Sequence, residues 1–263
     1  MGKEDFISSY WESQGVKYQI SSKASWEDTF MVNLERLFLD RTIKELKPKN
    51  VLDCGTSNGH SLIELAKNNS DINFSCFDLS PSMVEGCNEA ISNSNLKNIR
   101  SAFVADIRDI NDPYNNKYDL IMTTRVLINL PTWEDQIKAL NKMLDLIVPD
   151  GRLLILEAFW EPLCKINALR LIGGLEPLKE HDFNKYLKIH NLKKFLDEKG
   201  LIYKKTDFSS TYYLMTRFIR ETIGANQIDK SYNSDFNKNA LLLENNFTRV
   251  SDFGIQQAFE IYK

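Results

Sequence analysis

The chain has 263 residues, 43% of them hydrophobic and 26% charged, with a net charge of −3. That length suits one large α/β domain with insertions, and the balance of residue types excludes extended disorder. The 36 acidic residues outnumber the 33 basic ones, which are spread along the chain, so a nucleic-acid partner is not expected.

Met1-Gly2-Lys3-Glu4-Asp5 has no apolar leader, and no apolar run is long enough to span a bilayer; neither secretion nor membrane insertion is expected. Gly2 alone fits a myristoylation context, and Phe6-Ile7 break it. Cys54, Cys76, Cys87 and Cys164 form no close pair, so no metal or disulfide is expected and a reducing cytoplasm is the expected location.

Residues up to about 48 read as helical. Ser25-Trp26-Glu27-Asp28 has capping-box spacing ahead of Phe30, Leu34, Leu37 and Phe38 on one helical face. Short apolar strands then alternate with amphipathic helices. Strands are predicted over 51–54, 72–77, 99–104, 118–123 and 152–157, and helices over 61–67 and 81–92, the latter with Ser80 as N-cap and Pro81 first. Thr132-Trp133-Glu134-Asp135 opens another helix, with Ile137, Leu140, Leu144 and Ile147 as its buried stripe, ended by Pro149-Asp150-Gly151. This rhythm predicts a parallel sheet with helices on both faces. Beyond Glu157 it breaks. A helix at 191–199, a strand at 201–208 and a last strand at 256–262 are separated by long stretches. Insertions at about 158–190 and 209–250, after the fifth and sixth strands, are expected to form a helical cap over the C-terminal strand ends, where ligands sit in open α/β sheets. The domain reading is an N-terminal helical lid over 1–48 and a main domain over 49–263.

The first strand runs into Gly55-Thr56-Ser57-Asn58-Gly59 and then a helix, a turn that lets the backbone approach a ligand. Asp53 inside the strand would repel a pyrophosphate but suits the ammonium of a methionine moiety. Asp78, at the end of the second strand, can accept from both hydroxyls of a ribose. Met83 follows where it can pack on adenine, and Asp106-Ile107 follow the third strand, placed to accept from an adenine amino group.

Together these segments resemble the class I S-adenosylmethionine (SAM)-dependent methyltransferases: the glycine loop at Asp53–Gly59, the ribose acid at Asp78 and the adenine acid at Asp106. Tyr118-Asp119-Leu120-Ile121-Met122 and Leu146-Ile147-Val148-Pro149-Asp150-Gly151-Arg152 resemble the family's fourth strand and the turn before its fifth. Ser57 and Asp150 stand where glycines are usual. The resemblance implies a Rossmann-like class I methyltransferase sheet, SAM as cofactor, and a cofactor site of Asp53, Gly55, Thr56, Ser57, Gly59, Asp78, Leu79, Met83, Asp106 and Ile107. Tyr10, Trp11 and Trp26 read either as core packing or as part of a lid over the cofactor, and Tyr10 and Trp26 are assigned to the cofactor site.

The acceptor is less legible. A hydroxyl acceptor needs a base, for which His181, His190 and Glu157 are candidates. An anionic oxygen needs only positioning, for which Arg125, Arg170 and Arg217 are candidates. The resemblance places Arg125 and Asn129 beside the transferred methyl group, and Tyr213 is a further polar candidate. Arg125-Val126-Leu127-Ile128-Asn129-Leu130-Pro131-Thr132-Trp133-Glu134, Gly174-Leu175-Glu176-Pro177 and Phe183-Asn184-Lys185-Tyr186-Leu187 resemble bacterial methyltransferases of surface-polysaccharide biosynthesis. That resemblance implies O-methylation of a small acceptor, nucleotide-linked or anionic: a sugar hydroxyl, or a phosphoryl or carboxyl oxygen of a glycan precursor. N- or C-methylation of another metabolite, and a non-catalytic binding subunit, are the alternatives.

Overall fold

A computed structural model describes residues 3–21, 23–114, 117–224, 227–246 and 252–263, with the side chains of residues 3 and 4 excepted. The Met1-Gly2 context and the end of the second predicted insertion lie outside them.

Two helices, Lys3–Tyr18 (α1) and Thr29–Leu46 (α2), precede the sheet. The chain then runs through Asn50–Cys54 (β1), His60–Asn68 (α3), Asn73–Asp78 (β2), Pro81–Ser94 (α4), Phe103–Val104 (β3) and Tyr118–Thr124 (β4). A 3-10 turn at Leu127–Asn129 leads to Trp133–Leu146 (α5), Ile147–Ala158 (β5), Trp160–Ile172 (α6), Ile189–Glu198 (α7) and Ile202–Thr206 (β6). Ser210–Tyr213 (α8), a π-helical turn at Leu214–Ile219, Arg220–Thr222 (α9), Asp235–Asn246 (α10) and Gln256–Tyr262 (β7) complete it.

The seven strands lie in the order β3-β2-β1-β4-β5-β7-β6. Val51, Leu52 and Cys54 of β1 and Leu153–Leu156 of β5 are fully buried, as strands covered by helices on both faces require. The predicted all-parallel sheet needs one correction: β7 is antiparallel to both β5 and β6. The chain leaves β6 at the same end of the sheet at which the cap helices sit. It re-enters there, so the final strand must run back between its neighbours.

Ser80 and Thr132 cap α4 and α5 as the spacing predicts, accepting from Met83 N at 3.2 Å and Asp135 N at 3.1 Å. Ser25 does not cap α2. Asp28 does, accepting from Met31 N at 3.1 Å, because Ser25 is drawn onto the Arg125 guanidinium. The predicted strand at 99–104 shrinks to Phe103–Val104 with one bridge at Ile99, and β5 begins before the Pro149-Asp150-Gly151 stretch that was expected to precede it.

Candidate active site

The loop after β1 is fastened to the end of β2: Gly55 N and Thr56 N both donate to Phe77 O at 2.9 Å. Gly55 has φ +75°, and a Cβ there would stand 2.3 Å from Val126 Cγ2, so only glycine fits. Ser57 holds φ +54° without being glycine, a left-handed conformation that costs about 1–2 kcal/mol. Its N–H donates to Asp78 Oδ2 at 2.8 Å and its hydroxyl reaches Met83 Sδ at 3.4 Å. These bonds offset the cost.

Asp78 Oδ1 accepts from Ser80 N at 3.0 Å. Each carboxylate oxygen thus has one backbone donor at close range, the Leu79 N–H also favours the ionised form, and lone-pair capacity remains for a ligand. Burial raises the Asp78 carboxyl above the usual carboxylate range. A cleft of about 890 Å³, partly open to solvent, lies over these strand ends, with Gly55, Ser57, Asp78, Leu79, Met83 and Ile107 in its wall. Asp53 and Thr56 face a smaller pocket behind the loop, which shares Gly55, Ser57 and Arg125 with the cleft. Burial pushes the Asp53 carboxyl up to about 7. Gly59 lines none of these cavities; it begins α3 with φ +76°, and a Cβ there would meet Cys87 Sγ at 2.6 Å.

Asp106 also lines the cleft, but its carboxylate is engaged. Arg108 Nε donates to it at 3.0 and 3.1 Å and Arg108 Nη2 at 2.6 Å. Burial opposes ionisation there, yet Arg108 outweighs it and holds the carboxyl below its usual range.

Helix α1 closes the cleft from above through Ile7 and Trp11. Glu12 latches it, accepting from the Ser80 hydroxyl at 2.6 Å and Ser82 N at 3.2 Å. Asn58 Nδ2 donates to Gln19 O at 2.6 Å and Ser21 O at 2.7 Å. Of the three aromatics singled out in the sequence as lid candidates, Trp11 lines the cleft and the other two sit elsewhere. Tyr10 packs on Phe183 (4.7 Å between ring centroids), Trp26 lies 5.1 Å beneath the Arg125 guanidinium, and both line a second cavity rather than the cleft. Ile7 and Trp11, one helical turn apart, carry the spacing that marks the lid face.

The second cavity, of about 1340 Å³ and also open to solvent, meets the cleft at Trp11, Ser25, Arg125 and Asn129. Arg125 stands at the junction with φ +56°; Nε donates to Glu35 Oε1 at 2.9 Å and Nη1 to Ser25 O at 3.1 Å. Asn129 Nδ2 donates to Arg125 O at 2.8 Å, while Asn129 Oδ1 is buried with no partner among the described residues. His181 is exposed, lines this cavity and packs on Phe183 at 4.2 Å. Tyr213 is buried in the opposite wall, and burial lifts its hydroxyl well above the ordinary tyrosine range.

Three candidate residues are structural instead. Glu157 is fully buried and accepts from Val126 N and Leu127 N at 3.0 Å and Ile128 N at 3.3 Å, capping the 3-10 turn. Burial pushes its carboxyl up to about 7, and it faces neither cavity. His190 lies at the surface, 3.0 Å from Glu161 Oε1. Arg170 holds a loop through Glu176 O at 2.8 Å and also donates to Arg217 O. Two buried carboxylates hold the cavity arginines Arg125 and Arg217: Glu35, which the sequence reading did not single out, and Asp28, which it read only as part of a capping box. A charge on the apolar face of α2 was the available signal for Glu35.

A family model described as a methyltransferase domain matches residues 46–203. The chain belongs to that family: it carries a class I SAM-dependent methyltransferase domain, and SAM is the cofactor such a domain takes. No curated protein matches the chain in sequence. Among solved structures, magnesium protoporphyrin IX methyltransferase (ChlM) from Synechocystis PCC 6803 with bound S-adenosylhomocysteine (SAH) is 17% identical, with TM-score 0.60 over 99% of each chain. The N-methyltransferase NodS from Bradyrhizobium japonicum WM9 is 13% identical, with TM-score 0.57 over 97% of each. An O-methyltransferase family protein from Burkholderia thailandensis is 15% identical, with TM-score 0.48 over 60% of this chain; the chain spans only 47% of that protein's length. At such identities the likeness is one of fold.

Proposed function

We propose that the protein transfers a methyl group from SAM to an oxygen of a small polar acceptor held in the second cavity. A sugar hydroxyl, or a phosphoryl or carboxyl oxygen of a surface-glycan precursor, is the acceptor class. The observation that carries this reading is the junction of the two cavities at Arg125 and Asn129. A donor bound in one and an acceptor in the other approach each other there and nowhere else along the described walls.

The cleft fits the cofactor. Asp78 retains lone pairs for two ribose hydroxyls, Met83 and Ile107 offer apolar surface for a purine, and Asp53 offers a carboxylate for the methionine ammonium. Leu79 lines the cleft, and the Thr56 side chain lies against Asp53 in the smaller pocket, where its hydroxyl favours the ionised carboxylate. Asp106 takes the adenine amino group only if it shares its carboxylate with Arg108. SAM supplies an electrophilic methyl on a sulfonium. The chain's own work is to align the acceptor and exclude water. Asn129 Oδ1 accepts from a neighbouring hydroxyl of the acceptor, Arg125 orients it, and His181 takes the single proton of the attacking hydroxyl as its oxygen bonds to the methyl and the S–CH3 bond breaks. The test incubates the protein with SAM carrying a carbon-13 methyl and panels of neutral, anionic and amino glycosides. The carbon chemical shift of the product separates methyl ether, ester and amine. Methylation only of amines would overturn the oxygen assignment.

Arg125→Ala is expected to reduce turnover at least about 100-fold while changing SAM affinity less than about threefold, because the side chain orients the acceptor rather than the donor. Calorimetry and initial rates measure the two separately. Loss of SAM binding in a folded variant would move Arg125 into the cofactor site.

Affinity for SAH is expected to rise with pH. The ligand ammonium pairs with ionised Asp53, whose carboxyl burial has pushed up to about 7, so protonated Asp53 weakens binding below that value. Titrations between about pH 6 and about pH 8 should show tightening that levels off above. A flat profile would remove Asp53 from contact with the ammonium.

A further inference from the structure

The wall of the second cavity that carries Arg217 is built with more care than packing requires. Arg217 is 8% exposed and lines the cavity. Its Nη2 donates to Asp28 Oδ2 at 2.5 Å and its Nη1 to Thr216 Oγ1 at 3.1 Å; its Nε–H makes no hydrogen bond among the described residues. Asp28, fully buried, also accepts from the Tyr212 hydroxyl at 2.6 Å, so the guanidinium is fixed and its charge already balanced. The segment that carries it, Leu214–Ile219, is π-helical, an irregularity that is rare in helices and frequent at functional sites.

Two neighbours complete the wall. Gln256, 3% exposed at the start of β7, lines the cavity with its Oε1 buried and unpartnered among the described residues. Ser209 brings it beside Tyr213: its hydroxyl donates to Gln256 O at 2.7 Å and its carbonyl accepts from Tyr213 N at 2.9 Å. The Tyr213 hydroxyl makes no hydrogen bond among the described residues, and the Arg217 guanidinium lies 5.5 Å from the Tyr213 ring and 5.0 Å from that of Tyr232.

We infer that Arg217, Gln256 and Tyr213 form a specificity-determining subsite for a neutral, hydroxyl-bearing ring of the acceptor. This rests on reading the second cavity as the acceptor chamber, and it narrows the acceptor class from polar or anionic to neutral. The donor on Arg217 and the acceptor on Gln256 together match a group that both accepts and donates, which a hydroxyl does and a carboxylate or ammonium does not. An anion would gain little from a guanidinium that Asp28 has neutralised, and would leave Gln256 Oε1 unpaired. An ammonium has no lone pair to accept from the Arg217 Nε–H. The tyrosine rings offer apolar faces to the ring's C–H groups.

The experiment uses the full chain saturated with SAH and three pyranosides of one shape: methyl glucoside, glucuronate and glucosamine, followed by saturation-transfer NMR and titration. Methyl glucoside is expected to bind at least about fivefold more tightly than either charged ring. Gln256→Leu, near-isosteric, is expected to weaken it about 5–10-fold, the loss of one buried hydrogen bond, with SAH affinity unchanged. Arg217→Lys, which keeps a charge for Asp28 but loses the planar fork, is expected to act in the same direction and stands in should Gln256→Leu fail to fold. Tighter binding of glucuronate or glucosamine, equal binding of all three, no binding of any while SAH is held, or folded variants indistinguishable from the parent would each overturn the subsite. A protein that does not hold SAH would overturn the methyltransferase reading beneath it.

Discussion

Replacing Asp78 by alanine is expected to weaken SAH binding at least about 100-fold. Two hydrogen bonds from ribose hydroxyls to a charged acceptor contribute about 1.5–3 kcal/mol each, and about 3 kcal/mol already corresponds to that factor. The same substitution strips the loop of its anchor, because Ser57 N loses its partner at 2.8 Å and Ser80 N its partner at 3.0 Å. Ser57, held at φ +54° by that bond, is then free to leave the left-handed region. Asp78→Asn is expected to fall between parent and alanine variant, since its one carbonyl oxygen still accepts from one backbone N–H and one ribose hydroxyl while the charge and the second acceptor are lost. Titration calorimetry of both variants with SAH is the measurement. Unchanged affinity in a folded Asp78→Ala protein would place the ribose elsewhere.

The second large effect falls on stability. Asp28→Ala is expected to lower the free energy of unfolding by about 3–5 kcal/mol, measured by denaturant titration, because it leaves the Arg217 charge buried without its counterion. The cap of α2 is lost with it, at a further cost of about 1 kcal/mol. The Tyr212 hydroxyl also loses its acceptor at 2.6 Å. Asp28→Asn keeps an oxygen for Met31 N and should fall between the parent and the alanine variant. A loss below about 1 kcal/mol would mean that the pair is solvated rather than buried. Arg217 belongs to the proposed acceptor wall and Asp28 to the start of α2, so this one ion pair ties the segment between the N-terminal helices to the second cavity. The Glu35–Arg125 pair does the same at the junction. Both cavity arginines therefore depend on carboxylates ninety or more residues earlier in the chain.

Local chemistry made much of the cofactor region legible. The buried run of β1, the loop that follows it, Ser80 with Pro81 at the head of α4 and Asp78 at the end of β2 all depend on residues near one another in sequence, whose spacing reflects strand and helix geometry. Ser57 was visible as a departure from glycine, and it adopts the positive φ that a glycine would have taken at low cost. Tyr10 and Trp26 show where such reasoning stops. Aromatic residues in an N-terminal helical segment suggest a lid, but which of them faces which cavity depends on how α1 rotates onto α4. The Glu12 contacts with Ser80 and Ser82 set that rotation, turning Ile7 and Trp11 inward over the cleft.

The sequence by itself determined the alternation of strands and helices, the glycine turn, the acids at the strand ends and hence the methyl donor. These are short-range features in which side-chain type and spacing carry the information. Tertiary structure alone decided the reversed last strand, the burial of Glu157 as a helix cap, the pairing of Arg125 with Glu35 and Arg217 with Asp28, and the existence of a second cavity. The physical reason is the same in each case. Whether a carboxylate caps a turn, pairs with an arginine or faces a ligand depends on which distant segment excludes water from it, and burial of that kind leaves no periodic mark along the chain.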